Sequence, residues 1–348
     1  MGKMMGQIDV DKIREIYGLL GDDLSKEIYE NRLMYSLTGD MKFIRNVVCT
    51  IDIGRETYNR LRTSSQPKVI FGVGSAGKRL VRVYEDIRFE CFVDNNCAGQ
   101  EYKKIPVINI EALKEKYHGA LIIISSNRYH KEMLKQLLDE GFEKENIVNI
   151  GMEYEKLNHL QYFDLPQLEK RRMPEEVFVD GGCYDGSNSL DFQKWCLDSR
   201  WGGHIYAWEP DTESQEKCRK KLDDNHLNYE LIPKGLWSET RELKFKMDGT
   251  SSAISDMGDV IVEVGSIDNL IKKPVTFIKM DVEGAEYQAL LGARNMIEKH
   301  RPKLAICIYH KMEDIWELPW LIHELHSEYK LYIRHYSFGD VETVLYAL

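Results

Sequence analysis

The residues best suited to chemistry begin in VFVDGGCYDGSNS (residues 177–189), an apolar run that ends in Asp180 and opens into Gly181, Gly182, Tyr184 and Gly186. Glycines at such a turn let the backbone bend sharply and approach a ligand closely, because a Cβ there would collide with it. Glu209 closes the next apolar run, HIYAWEPD, 29 positions after Asp180. A carboxylate at that strand end can accept hydrogen bonds from both hydroxyls of a ribose, so loop and acid together point to a nucleoside. A dinucleotide fingerprint would read G-x-G-x-x-G to seat a pyrophosphate. The pattern here is D-G-G-x-x-x-G, led by an acid, which suits a cationic, phosphate-free ligand better.

A second acidic cluster follows TFIKM as Asp281, Val282, Glu283 and Gly284, and the next apolar run, KLAICIY, ends in His310. Histidine titrates near neutrality, so His310 is the first choice for a general base or for positioning a substrate. Asp281 can bind substrate or, with Glu283, a hard divalent metal. Two acids without a third ligand do not define a metal site, and none is assigned. Glu283 and Glu286 also have a structural explanation, because carboxylates are favoured at a helix start. His335 is a weaker alternative base, placed inside a strand near a sheet edge.

The chain's other glycine loop is GVGSAG, residues 72–77, which follows KVIF and precedes the helix-patterned KRLVRVYED; Asp94 ends the next strand 22 residues after Gly72. That context marks Gly72, Gly74, Gly77 and Asp94 as a candidate second nucleotide site, for NAD or a nucleotide-sugar. No catalytic Tyr-x-x-x-Lys follows it. Asn127, Arg128 and Tyr129 read equally well as capping residues or ligand contacts.

These groups need strands to carry them. Residues 8–62 show apolar positions at helical spacing, with a break at Asp22–Ser25. After SSQP, residues 64–67, the period changes: KVIFGVG, FECFVD and GALIIIS alternate with helical patterns, as in a parallel sheet. A charged segment with Pro166 and Pro174 follows. Seven further strands then read as EVFVDGG, HIYAWEPD, YELIPKGL, TFIKMDVEG, KLAICIYH, YKLYIRHYS and ETVLYAL, with helices after the first, second, fourth and fifth. The last two are separated only by Phe338, Gly339 and Asp340, which predicts an antiparallel hairpin at the sheet edge. The expected division is a helical N-terminal arm (1–65), a smaller parallel α/β Rossmann-like domain (66–152), a linker (153–175) and a seven-strand α/β domain (176–348).

Bulk properties narrow the class. With 43% hydrophobic and 30% charged residues the composition is that of a globular protein. No apolar run reaches the roughly 18 residues of a spanning helix, and the N-terminus lacks a signal-peptide core, which places the protein in the cytoplasm. A net charge of −10 and the absence of a long Lys/Arg block argue against nucleic acid as a partner. Seven scattered cysteines, none in C-x-x-C spacing, read as reduced thiols.

Residues 176–348 resemble the FkbM family of methyltransferases, chiefly through FIKMDVEGAEYQALLGA (277–293), PKLAICIYH (302–310) and IRHYSFGDVETVLYA. The resemblance implies a seven-strand methyltransferase fold, with S-adenosylmethionine on the first loop and its ribose on Glu209. It further implies O-methylation of a sugar, glycoconjugate or natural-product precursor, as in polysaccharide biosynthesis. SIDNL matches a short acidic element of that family and sets Asp268 at the site's border. Residues 66–150, with FVDNN and IPVINIEAL, resemble Rossmann-like domains at the front of sugar-modifying enzymes. Two other readings stay open: an NAD-dependent oxidoreductase built on GVGSAG, and a non-catalytic nucleotide-binding sensor.

Overall fold

A computed structural model describes residues 9–196, 203–248, 251–254 and 260–348. The chain is mixed α/β and divides into two compact units. One unit holds the described residues up to Tyr29 together with Gln161–Arg334 and Thr343–Leu348; the other holds Glu30–Leu160 and His335–Glu342.

The smaller unit is built on a six-stranded sheet. Lys68–Phe71 lies between Cys91–Val93 and Leu121–Ile124, both parallel to it, with Ile105–Ile108 and Ile147–Asn149 farther out. Strand residues alternate between two faces, as the period of two requires. Val69, Phe71, Ile122 and Ile124 pack on one side, and Ile70, Leu121 and Ile123 on the other. The strands expected at KVIF, ECFV and LIII are present, joined by three short ones whose few residues carry little periodic signal.

Helices Asp23–Thr38, Met41–Val48 and Asp52–Thr63 are where a helical N-terminus was expected. They do not form a separate arm. Ile44, Val48 and Leu61 are 0–1% exposed and belong to the same apolar cluster as Ile70 and Phe92, so removing apolar area from water fixes them to the sheet. The first helix, Val10–Leu19, goes with the larger unit, where Leu20 bridges to Leu331 and Arg334 pairs with Asp22 at 2.6 Å.

The larger unit carries all seven expected strands in one sheet. From the edge inward these are Leu331–His335, Thr343–Ala347, Lys303–Cys307 and Phe277–Met280, then Val177–Gly181, His204–Trp208 and Tyr229–Ile232. Thr343–Ala347 runs antiparallel to Lys303–Cys307, and the strands flanking Val177–Gly181 are parallel to it. The final hairpin is present, though its connection runs from Tyr336 to Glu342 and so exceeds the three residues anticipated. Its tip belongs to the smaller unit: Asp340 pairs there with Arg79 and Arg82, each at 3.2 Å, and Phe338 stacks edge-on against Tyr154.

Two further differences are local. YELIPKGL breaks after Ile232, and Gly235–Leu236 enters a separate four-stranded sheet with Arg241–Asp248, Ser251–Ile254 and Val260–Gly265. The 153–175 segment is not a loose linker, because Tyr162, Phe163, Leu165 and Leu168 are buried in it, and Phe163 packs against Phe178, Phe192, Trp195 and Phe277.

Candidate functional site

In a doubly wound sheet ligands gather outside the carboxyl ends of the strands, where the strand order reverses. Here that point lies between Val177–Gly181 and Phe277–Met280, which are adjacent and parallel although about a hundred residues apart in sequence. Both acidic segments singled out above therefore emerge side by side.

The glycine loop is held from below. Asp180 is 0% exposed, with one carboxylate oxygen accepting from the Ser189 hydroxyl at 2.7 Å and the other 3.0 Å from Lys279 Nζ. Lys279, also 0% exposed, donates to the carbonyls of Gly181 and Gly182 at 3.1 and 2.9 Å. Burial opposes the charge on Lys279, but the carboxylates of Asp180 and Asp281 more than offset it and keep the ammonium above its ordinary pKa. Asp180 thus lies under the loop as a positioning group. Lys279 was not among the expected site residues, although a lysine inside the apolar run TFIKM is the signal that marks it.

Gly182 and Cys183 donate to the Trp208 carbonyl at 3.1 and 3.0 Å, drawing the loop toward the next strand. Gly182 has φ +71°, and a Cβ there would overlap the backbone carbonyl of Asp281. Gly186, φ +79°, precedes the helix Ser187–Trp195, and Tyr184, φ +48°, is 57% exposed. Glu209 faces this turn, accepting from the backbone N–H of Tyr184 and of Asp211, each at 2.9 Å. Burial pushes its carboxyl above the usual range despite those two donors. Each oxygen retains lone-pair capacity beyond these bonds.

At the tip of Phe277–Met280, Asp281 accepts hydrogen bonds from Tyr309 and Tyr162, both at 3.2 Å. His310 follows the neighbouring strand; its Nε2 is 3.4 Å from Asp281 and 3.7 Å from Glu283, and its Nδ1 is 3.0 Å from Glu286. Asp314, buried, joins the same group. Burial works against a charged imidazole, but Glu286, Asp281 and Glu283 outweigh it and raise His310 to about 9. With its proton in place at neutral pH, His310 by itself is a donor rather than a base. Burial, with Glu286 beside it, raises Asp314 to about 7, and burial also raises Glu283.

The remaining expected residues have structural partners. Both oxygens of Asp268 accept at 2.9 Å from the backbone of Asn295 and Met296, so it caps the helix Arg294–His300. In the smaller unit Gly72 has φ +103°, and a Cβ on Gly77 would overlap the Gly72 carbonyl, so helix–strand packing explains both. Asp94 accepts from Asn96 and Cys97 at 3.0 and 3.2 Å, closing its own turn. Gly74 is the N-cap of Ser75–Val83, and Tyr129 that of His130–Asp139.

His335 is 5% exposed, and burial, followed by the Arg32 guanidinium, pushes it down to about 3. A neutral, sequestered imidazole does not serve as the base. Because the unfolded chain binds a proton near pH 6.5 that the folded one refuses, His335 leaves stability intact above about pH 6.5 and removes up to about 1.4 kcal/mol per unit below it. Stability measured by urea unfolding is expected to fall from pH 6.5 toward 3, with a flatter acid limb in His335→Gln; identical limbs would contradict this.

Residues 180–341 match the family model described as the methyltransferase FkbM domain. A search of curated proteins returned no match. Among solved structures, methyltransferase FkbM from Methylobacillus flagellatus KT is similar at 19% identity and a TM-score of 0.53, over 92% of this chain and 98% of that one. A putative rRNA methylase from Clostridium thermocellum aligns at 15% identity and a TM-score of 0.35, over 52% of this chain and 92% of its own. Fibrillarin from Aeropyrum pernix, in complex with natively bound S-adenosyl-L-methionine, aligns at 11% identity and a TM-score of 0.37, over 56% of this chain and 76% of its own. The first of these shares the fold. By sequence, and with the strand order that brings its acids to one sheet end, the stretch from Asp180 to Val341 is a methyltransferase FkbM domain.

Proposed function

We propose that this domain transfers a methyl group from S-adenosylmethionine to an oxygen of a small-molecule or glycan acceptor, such as a sugar, glycoconjugate or natural-product precursor. The observation that carries the reading is Glu209, a carboxylate 8% exposed, fixed by the backbone N–H of Tyr184 and Asp211 and set against the glycine loop. That pair of acceptor oxygens fits a ribose, whose two hydroxyls can each donate to one of them. The loop offers no anion-binding fingerprint, which agrees with a cofactor that carries a sulfonium and no phosphate.

When bound, the cofactor supplies an electrophilic methyl: a carbon–oxygen bond forms, the carbon–sulfur pair stays on sulfur, and the acceptor hydroxyl releases its proton. The chain's own contribution is largely placement, which is worth about 10⁵ M or more in effective concentration when the reacting atoms are aligned. Lys279 and Asp180 hold the loop, and the overlap at Gly182 shows how tightly it meets the Asp281 backbone. The proton of the acceptor goes to a carboxylate. Glu283, 45% exposed at its side chain and raised by burial, is the fitting recipient, while Asp281 and His310 orient the hydroxyl.

S-adenosylhomocysteine at about a hundredfold its Kd is expected to stabilise the protein by about 2.7 kcal/mol. Glu209→Ala is expected to abolish that shift in a thermal melt while leaving the unliganded transition cooperative. A wild-type protein that ignores the ligand, or a Glu209→Ala protein that responds in full, would overturn the reading.

A further inference from the structure

We propose that Asp281, Glu286 and His310 form a binding site for a divalent first-row transition-metal ion. One ligand atom from each residue lies within 4.8 Å of the others. Glu286 is 0% exposed; its Oε1 accepts from the Val282 backbone at 2.9 Å, but its Oε2 has no hydrogen-bond partner. A helix-start position explains the first oxygen and leaves the second bare. A carboxylate oxygen stripped of water and of donors is strongly disfavoured unless a cation meets it.

His310 supplies a second, independent sign. Its side chain is 10% exposed, with ring nitrogens 3.0 Å from Glu286 and 3.4 Å from Asp281, and neither nitrogen sits in an aligned hydrogen bond. One ion takes only one of the two ring nitrogens, and a single nitrogen with one oxygen each from Asp281 and Glu286 already falls within the 4.8 Å cluster. Glu283 and Asp314 add further acid to the same pocket. Lys311, on the same side, directs its ammonium to the Gly284 carbonyl, and Lys279 donates to the carbonyls of Gly181 and Gly182.

The mixed oxygen and nitrogen set selects against calcium and magnesium, which favour all-oxygen shells, and for ions of the manganese-to-zinc series. Three protein ligands with a side open to solvent, where Asp281 is 25% exposed, match a catalytic rather than a closed structural centre. Hydrogen bonds from Tyr162 and Tyr309 to Asp281 are the outer-shell support such a ligand needs. The role of the ion, holding and acidifying an acceptor hydroxyl beside the glycine loop, rests on the methyl-transfer reading; the binding itself does not.

Two titrations of the full chain after removal of metal with EDTA separate these claims. Mn²⁺ followed by electron paramagnetic resonance is expected to bind one ion per chain, displaced by Zn²⁺. S-adenosylhomocysteine followed by calorimetry in EDTA tests the cofactor site without the ion. Glu286→Gln is expected to weaken Mn²⁺ by at least about tenfold, and Asp281→Asn, at a partly exposed position, should do the same if the buried substitution prevents folding. A wild-type protein that binds S-adenosylhomocysteine but neither Mn²⁺ nor Zn²⁺ would overturn the metal site alone. Unchanged Mn²⁺ affinity in a folded Asp281→Asn protein would overturn it too. Saturable Mn²⁺ binding with no response to S-adenosylhomocysteine would keep the site and remove the methyl-transfer reading.

Discussion

Lys279→Met is expected to destabilise the methyltransferase domain by about 3–5 kcal/mol, because it leaves Asp180 charged, buried and without its cation. Both side chains are 0–1% exposed, so no water can replace the lost partner. The same substitution frees the carbonyls of Gly181 and Gly182, whose hydrogen bonds from Lys279 set the path of the loop. Loss of S-adenosylhomocysteine binding should therefore accompany loss of stability. The double variant Lys279→Met with Asp180→Asn removes both charges and is expected to recover part of the stability but not the affinity, since the loop stays untethered. Urea unfolding of the wild type, the single variants and the double variant forms the cycle that isolates the coupling. A single variant within about 1 kcal/mol of wild type would show that the pair is not the support described here.

Gly182→Ala is expected to have the next largest effect, with Gly186→Ala as its internal control. Both positions are left-handed, at φ +71° and +79°, so each alanine carries a conformational cost of about 1–2 kcal/mol. Their surroundings differ. At Gly182 the new methyl overlaps the Asp281 backbone carbonyl, and relief requires the two strand ends to separate. At Gly186 the nearest atoms are side-chain atoms of Cys218 and Leu222 at 3.2 Å, which yield more readily than backbone. Gly182→Ala should thus cost about 2–4 kcal/mol in all and eliminate cofactor binding, whereas Gly186→Ala should lose little beyond the conformational cost. Equal losses at the two positions would mean that close approach of the loop to Asp281 is not the constraint.

Much of this arrangement could be read from the chain itself, for reasons specific to each element. The seven strands of the larger sheet were legible because each is a short apolar run ended by a turn signal, and the order of helices between them fixed the parallel pairing. The placement of Glu209 and the glycine loop at neighbouring strand ends was legible because both follow their strands immediately, at positions local in sequence. What escaped depends on partners far apart. Lys279 finds Asp180 across 99 residues, and Glu286 finds His310 across 24. A helix-start glutamate looks complete from sequence alone until the second oxygen is located.

The same limit accounts for the residues whose roles changed. Asp94 ends up bonded to the backbone N–H groups of Asn96 and Cys97, because short acidic side chains bind local amides readily, whereas Asp268 finds those of Asn295 and Met296 across 27 and 28 residues. Helices 23–63 read as an arm because their apolar faces give no address, and only the folded sheet provides one. Among the described residues no helix is long and apolar enough to cross a membrane, and all seven cysteines are free of disulfides, with Cys183 and Cys218 3.4 Å apart at sulfur.

The central claim is that the loop from Asp180 to Gly186, closed by Glu209, is a methyl-donor site. Calorimetric titration of the full chain with S-adenosylhomocysteine and, separately, with NAD tests it most directly. Saturable binding of one S-adenosylhomocysteine per chain, lost in Glu209→Ala and competed by adenosine, is the expected result. Tight NAD binding with no heat from S-adenosylhomocysteine would contradict the account and return the chemistry to the loop at Gly72.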